Sequence, residues 1–158
     1  EEVEADPTAM GQAMAVVAAS ALAAGIGSIS SGATGAVAAV VGGIVGWFLW
    51  AAVTWLVGTK LLPEPGTSAD LGQMLRTIGF SAAPGLLNVL GIIPLVGLVV
   101  WLLAAVWQLV AMVVAVRQAL DYTSTGRAVL VCFIGWVFYM VVSVGLAMVM
   151  GIGSVIGG

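Results

Sequence analysis

No histidine occurs anywhere in the 158 residues, and four basic and seven acidic side chains carry all the formal charge. Charged residues make up 7% of the chain, against about 25% in a soluble domain, which excludes a water-soluble globule. Without histidine there is no His-Glu-x-x-His zinc site, no base for Ser20 or Ser143, and no histidine ligand for a haem. The four cations form no run, so the electrostatic footprint of a nucleic-acid or anionic-surface binder is missing. The single cysteine, Cys132, lies in a hydrophobic run and forms no internal disulfide. Pro7 to Thr59, Thr77 to Val116 and Ala128 to Gly158 contain no Asp, Glu, Lys or Arg. Ion-coupled transport usually leaves such a residue within a span, and an intramembrane aspartyl site needs two buried acids. Asp70 and Asp121 both fall at expected helix ends instead. A non-enzyme with no metal and no cofactor is expected.

What is present is apolar length. Hydrophobic residues make up 62% and mean hydropathy is +1.22, and about 20 apolar residues make one span. The expected fold is an all-α polytopic membrane bundle of five transmembrane helices. An acidic stub, residues 1–6, holds Glu1, Glu2, Glu4 and Asp6 and precedes one membrane domain over 7–150; a glycine-rich tail, 151–158, is expected to fray. The chain starts at Glu1 rather than Met, so some N-terminal sequence is expected to be missing. Asp6-Pro7 opens helix 1, expected over Pro7–Ile26. A polar, uncharged turn leads to helix 2 over Ala36–Gly58, and Lys60 marks its exit into water. Leu62 to Thr67 is a proline-punctuated loop, with Thr67 and Asp70 as a candidate capping box. Helix 4 is expected from Pro94 to Leu120 and helix 5 from Ala128 to Met150.

The third segment starts amphipathic, with Leu71, Met74, Leu75, Ile78 and Ala82 at helical spacing. Pro84 should kink it and Pro94 should mark a second kink before helix 4. Charge parity bears on whether it spans. With five spans and an internal N-terminus, Lys60, Arg76, Arg117 and Arg127 all fall on the cytoplasmic side; with four, Arg117 and Arg127 land outside, which the positive-inside tendency disfavours. The expected topology is N-inside and C-outside.

Gly42 and Gly46 form a small-xxx-small face on helix 2, and Ala111 and Ala115, with Ala104 and Ala119, a small side of helix 4; the two are expected to pack. Asn88 and Gln108 are the strongest polar residues at membrane depth. An unpaired amide in hydrocarbon is costly, so they read as interhelical glue rather than a ligand site. Trp55 and Tyr122 fit an inner interfacial belt, whereas Trp47, Trp50, Trp107 and Trp136 fall deeper, as packing or lipid-facing anchors. Arg117 and Asp121, four apart at a helix end, are set for a weak local ion pair.

The run Gln73-Met74-Leu75-Arg76-Thr77-Ile78-Gly79-Phe80-Ser81-Ala82-Ala83-Pro84 is an amphipathic approach to a Gly-aromatic-x-x-x-Pro element. With the apolar stretch to Pro94, Trp107 and Val116-Arg117-Gln118-Ala119, it resembles the Yip1 family, mainly over residues 55–140. The resemblance implies a five-helix membrane domain. Eukaryotic relatives are linked to membrane traffic and Rab GTPase binding, and most bacterial ones lack an assigned activity. The Ala, Val and Gly bias looks bacterial, which places the chain in an inner membrane. The leading expectation is an interaction or scaffold protein whose partners are lipid and other membrane-protein helices, with no nucleic acid. An accessory subunit of a respiratory, photosynthetic or transport complex is the first alternative. A carrier of lipid or of a small hydrophobic molecule, opened by the kinked third helix, is the other.

Overall fold

The computed structural model describes residue 6 and residues 8–93 and 95–156. Among these residues five α-helices follow in order: α1 (Ala9–Gly27), α2 (Gly32–Leu56), α3 (Leu71–Ser81), α4 (Val96–Ala119) and α5 (Thr125–Ile156). A 3-10 turn, Ile29–Ser31, joins α1 to α2, a π-helical turn, Val57–Leu61, ends α2, and a 3-10 helix, Ala83–Ile92, continues from α3. No strand is present among the described residues. Among the described residues four helices are long and apolar enough to cross a membrane, and α3 with its 3-10 extension, bent by 42°, makes a fifth where the pair counts as one span.

The broken span earns its place by direction and length. Gly79 lies against Ala13, the Ser20 hydroxyl donates to the Ala82 carbonyl at 2.9 Å, and Gly91 lies against Gly27. Residue numbers rise together on both partners, so the pair runs parallel to α1 over most of its length. At 1.5 Å rise for α3 and 2.0 Å for the 3-10 part, the pair reaches about 36 Å before the bend, against a hydrocarbon core of about 30 Å. The 3-10 form supplies that reach: ten residues in it cover about 20 Å where an α-helix would cover about 15 Å. Pro84, near its start, has no N–H to offer the preceding turn. Ser20 from α1 binds a carbonyl at this break, as breaks within membranes require.

The remaining contacts fix alternation. Gly43 meets Ala21, and Gly25 meets Ala36 and Val40, so α2 runs against α1. Gly135 approaches Thr54 and Gly46 approaches Tyr139, so α5 runs against α2, and Leu120 at the end of α4 covers Gly58 at the end of α2. The core sits toward that shared end, where Met74, Ile78, Val116, Leu120 and Val131 are almost fully buried. Three tryptophans organise α2. Trp47 donates its indole N–H to the Leu75 carbonyl of α3 (3.1 Å), Trp50 to Met112 Sδ of α4 (3.0 Å), and Trp55 to the Ala69 carbonyl (2.9 Å). Trp107 and Trp136 lie on the exposed flanks of α4 and α5.

Several expectations need correction. The polar turn is shorter, because Gly32 already begins α2, and α5 runs beyond Met150 to Ile156, so residues 151–156 are helical rather than frayed. Residues 1–5, Pro7, Pro94 with its expected kink, and residues 157–158 lie outside the described residues. The cap of α3 is Asp70, not Thr67: its carboxylate accepts from Gln73 N while Gln73 Oε1 accepts from Asp70 N, a box worth about 1 kcal/mol. The small-residue sides of α2 and α4 do not meet; the two helices touch through Trp50 and Met112. A Cβ on Gly42 would meet nothing within 4 Å and one on Gly46 only Tyr139 Oη at 3.6 Å, whereas Gly43 does press on Ala21. Ala104 and Ala115 are buried, and Ala111 is half-buried.

Candidate functional site

Every charged side chain from Lys60 to Arg127 sits at one end of the bundle, where α2 and α4 finish and α3 and α5 begin. Asp6 joins this end near enough to Arg76 to feel its charge, and the Thr8 backbone N–H and hydroxyl donate to its carboxylate at 2.8 and 2.7 Å. These bonds, the side-chain one first, hold Asp6 below its ordinary pKa.

Two loops separated by some sixty residues are latched together here. Glu64 Oε2 accepts from the Thr123 backbone N–H (2.9 Å) and from its hydroxyl (2.8 Å), while Oε1 lies 3.4 Å from Arg127 Nε. The Thr123 backbone bond, then its hydroxyl, hold the carboxyl below the usual range, with Arg127 helping. Arg127 also donates to the Pro63 carbonyl at 3.1 Å. Beneath them Tyr122, 4% exposed, donates its hydroxyl to the Leu62 carbonyl (2.6 Å) and lies 3.0 Å from that of Gly58. Burial pushes its phenol pKa up. Tyr122 is therefore a buried latch and not the interfacial-belt residue its type predicts.

The link between α4 and α5 is equally ordered. Tyr122 N–H donates to the Arg117 carbonyl and Asp121 N–H to that of Gln118, with Asp121 at φ +54°, which together make a Schellman ending with Asp in the left-handed position. Arg117 turns its guanidinium onto the Tyr122 and Thr123 carbonyls and Thr125 Oγ1, at 3.0–3.3 Å. The expected Arg117–Asp121 pair is replaced by this binding of loop carbonyls, for which Asp121 contributes its backbone shape rather than its charge.

A second feature lies within the membrane-spanning part. A cavity of about 340 Å³ opens between α1, α2, α4, α5 and the broken span, with Ser20, Gly42, Gly46, Asn88, Gln108 and Tyr139 among its lining. Asn88 and Gln108 thus line one space. Asn88 Oδ1 is buried with no hydrogen-bond partner, an arrangement that costs about 1–3 kcal/mol, so the interhelical glue expected of it is not formed through that atom. Gly42 and Gly46 shape this wall, where their missing side chains leave room, instead of a helix contact. The close approaches that sequence reasoning missed are elsewhere. A Cβ on Gly27 would strike the Asn88 carbonyl, one on Gly91 would come within 3.1 Å of the Gly27 carbonyl, and one on Gly97 within 2.8 Å of Gly91 Cα. No i, i+4 spacing links these glycines, because they sit at three helix ends.

A comparison of the chain with protein-family models matches the Yip1 domain over residues 2–147. The match extends across α1 and α2, beyond residues 55–140, which mainly carry the resemblance in sequence. No curated protein and no solved structure matches the chain.

Proposed function

The chain belongs to the Yip1 family, and from that we propose that it is a non-catalytic interaction protein of a bacterial cytoplasmic membrane, its charged end inside, holding another protein at the membrane surface. The observation that carries this reading is the Glu64–Thr123–Arg127 latch. Loops with no partner tolerate disorder, whereas these two are fixed to each other and present one ordered polar face, and loops on a rigid scaffold are where recognition concentrates. All four cations lie at this end, and positive charge marks the cytoplasmic side. The long stretches between the charged clusters carry no Asp, Glu, Lys or Arg to move an ion.

Native membranes extracted in mild detergent provide the test. The wild-type chain is expected in a particle larger than itself, and Glu64→Ala to release it while circular dichroism keeps its helical signal. A wild-type chain that migrates alone, together with an ion flux from the pure protein in liposomes, contradicts the reading.

A further inference from the structure

We propose that the cavity under the broken span binds one neutral lipid bearing a free hydroxyl group. The volume, about 340 Å³, falls within the range of about 300–1,000 Å³ typical of small-molecule sites. Its depth selects the route. Gln108 lies nine residues before Arg117 on α4 and Tyr139 twelve after Arg127 on α5, or about 14 and 18 Å from the charged end, so a ligand arrives from the bilayer rather than from water. Gly42 is exposed on the flank of α2 and leaves the wall open there.

Polarity selects the head group. No Asp, Glu, Lys or Arg lines the cavity, and a charged group brought to this depth would lose its hydration without a counter-charge. That excludes phospholipid head groups. Asn88, Gln108 and Tyr139 each offer a donor and an acceptor, and Asn88 Oδ1 lacks a donor. The amide torsion of asparagine is a broad two-fold rotor, so Oδ1 can be turned to the cavity side. An ester or ketone accepts only, whereas a hydroxyl both donates to such an oxygen and accepts from the neighbouring amide or phenol. Neutral lipids carry that group as an aliphatic hydroxyl, as in a diacylglycerol, or as an aromatic hydroxyl, as in a quinol.

The full chain in phosphatidylcholine nanodiscs is the material for the test, with photoreactive diazirine forms of a diacylglycerol, its O-acetylated derivative, a quinol and phosphatidylcholine as probes. At least one hydroxyl probe is expected to label peptides that line the cavity, at least tenfold more than the acetylated and phosphatidylcholine probes. Preference between the two hydroxyl probes identifies the source. Gly42→Leu, placed where a side chain meets nothing, is expected to fold and to reduce labelling at least tenfold. Equal labelling by the acetylated probe, no labelling by either hydroxyl probe, or labelling unchanged in a folded Gly42→Leu chain overturns the proposal. The comparison of free with acetylated hydroxyl on the wild type decides by itself if Gly42→Leu does not fold.

Discussion

Glu64 grips Thr123 twice, through the backbone N–H and through the hydroxyl, with one carboxylate oxygen. Because these bonds lower its pKa in the folded state, the stability they give is present above the unfolded carboxylate pKa of about 4.3 and is lost as pH falls through the lower folded value. The thermal midpoint in detergent should therefore be level near neutrality and decline as pH drops below about 4.3. Glu64→Gln should start lower and lose part of that decline. An identical acid profile in the two proteins would place the titration elsewhere.

Tyr122→Phe tests the layer beneath. The hydroxyl serves the Leu62 and Gly58 carbonyls in a buried setting, so its removal should cost about 1–3 kcal/mol in unfolding measurements. A residue that belonged only to an interfacial belt would tolerate the change.

Glycines should divide by what their missing side chain leaves behind. Gly27→Ala places a Cβ against a backbone carbonyl that cannot move aside, and overpacking of this kind costs about 1–3 kcal/mol or more. Gly42→Ala, with open space around it, should stay within about 0.5 kcal/mol of wild type. Equal losses at the two positions, read from thermal midpoints, would contradict the packing described.

Much of this architecture is legible in the chain itself. Apolar length and the clustering of Lys60, Arg76, Arg117 and Arg127 indicate a helical membrane bundle with one charged end, and Pro84 marks the break in its third segment. The 3-10 form beyond it is not legible, since the apolar run Gly85–Ile92 suits either helix and is decided by packing against α1 and α4. The packing glycines are hidden for a related reason. Gly42 and Gly46 repeat at helical spacing, but Gly27, Gly91 and Gly97 meet only because three helix ends converge. Composition identifies Asn88 and Gln108 as costly, while their common cavity depends on the bend between α3 and its extension.

Asp121 discriminates between charge and backbone shape. It holds a left-handed conformation at the end of α4, which a β-branched residue resists at a cost of about 1–2 kcal/mol. Asp121→Val should lose about that much, and Asp121→Gly should lose none. Destabilisation by glycine would restore the ion pair with Arg117.

Alternation of five spans is open to cysteine labelling in a Cys132→Ala background. Ser30→Cys, at the uncharged end, should react with an impermeant thiol reagent added outside cells, and Ser68→Cys and Ser124→Cys should react only after permeabilisation. External labelling of Ser124→Cys alongside Ser30→Cys would remove the third crossing.

The claim that the latched face holds a protein partner is most directly tested by site-specific photo-crosslinking in native membranes, with benzoylphenylalanine at Ser68 on that face or at Ser30 on the opposite turn. The account predicts one discrete heavier product from Ser68 that disappears in Glu64→Ala, and none from Ser30. No product from Ser68, or the same product from both positions, would contradict it.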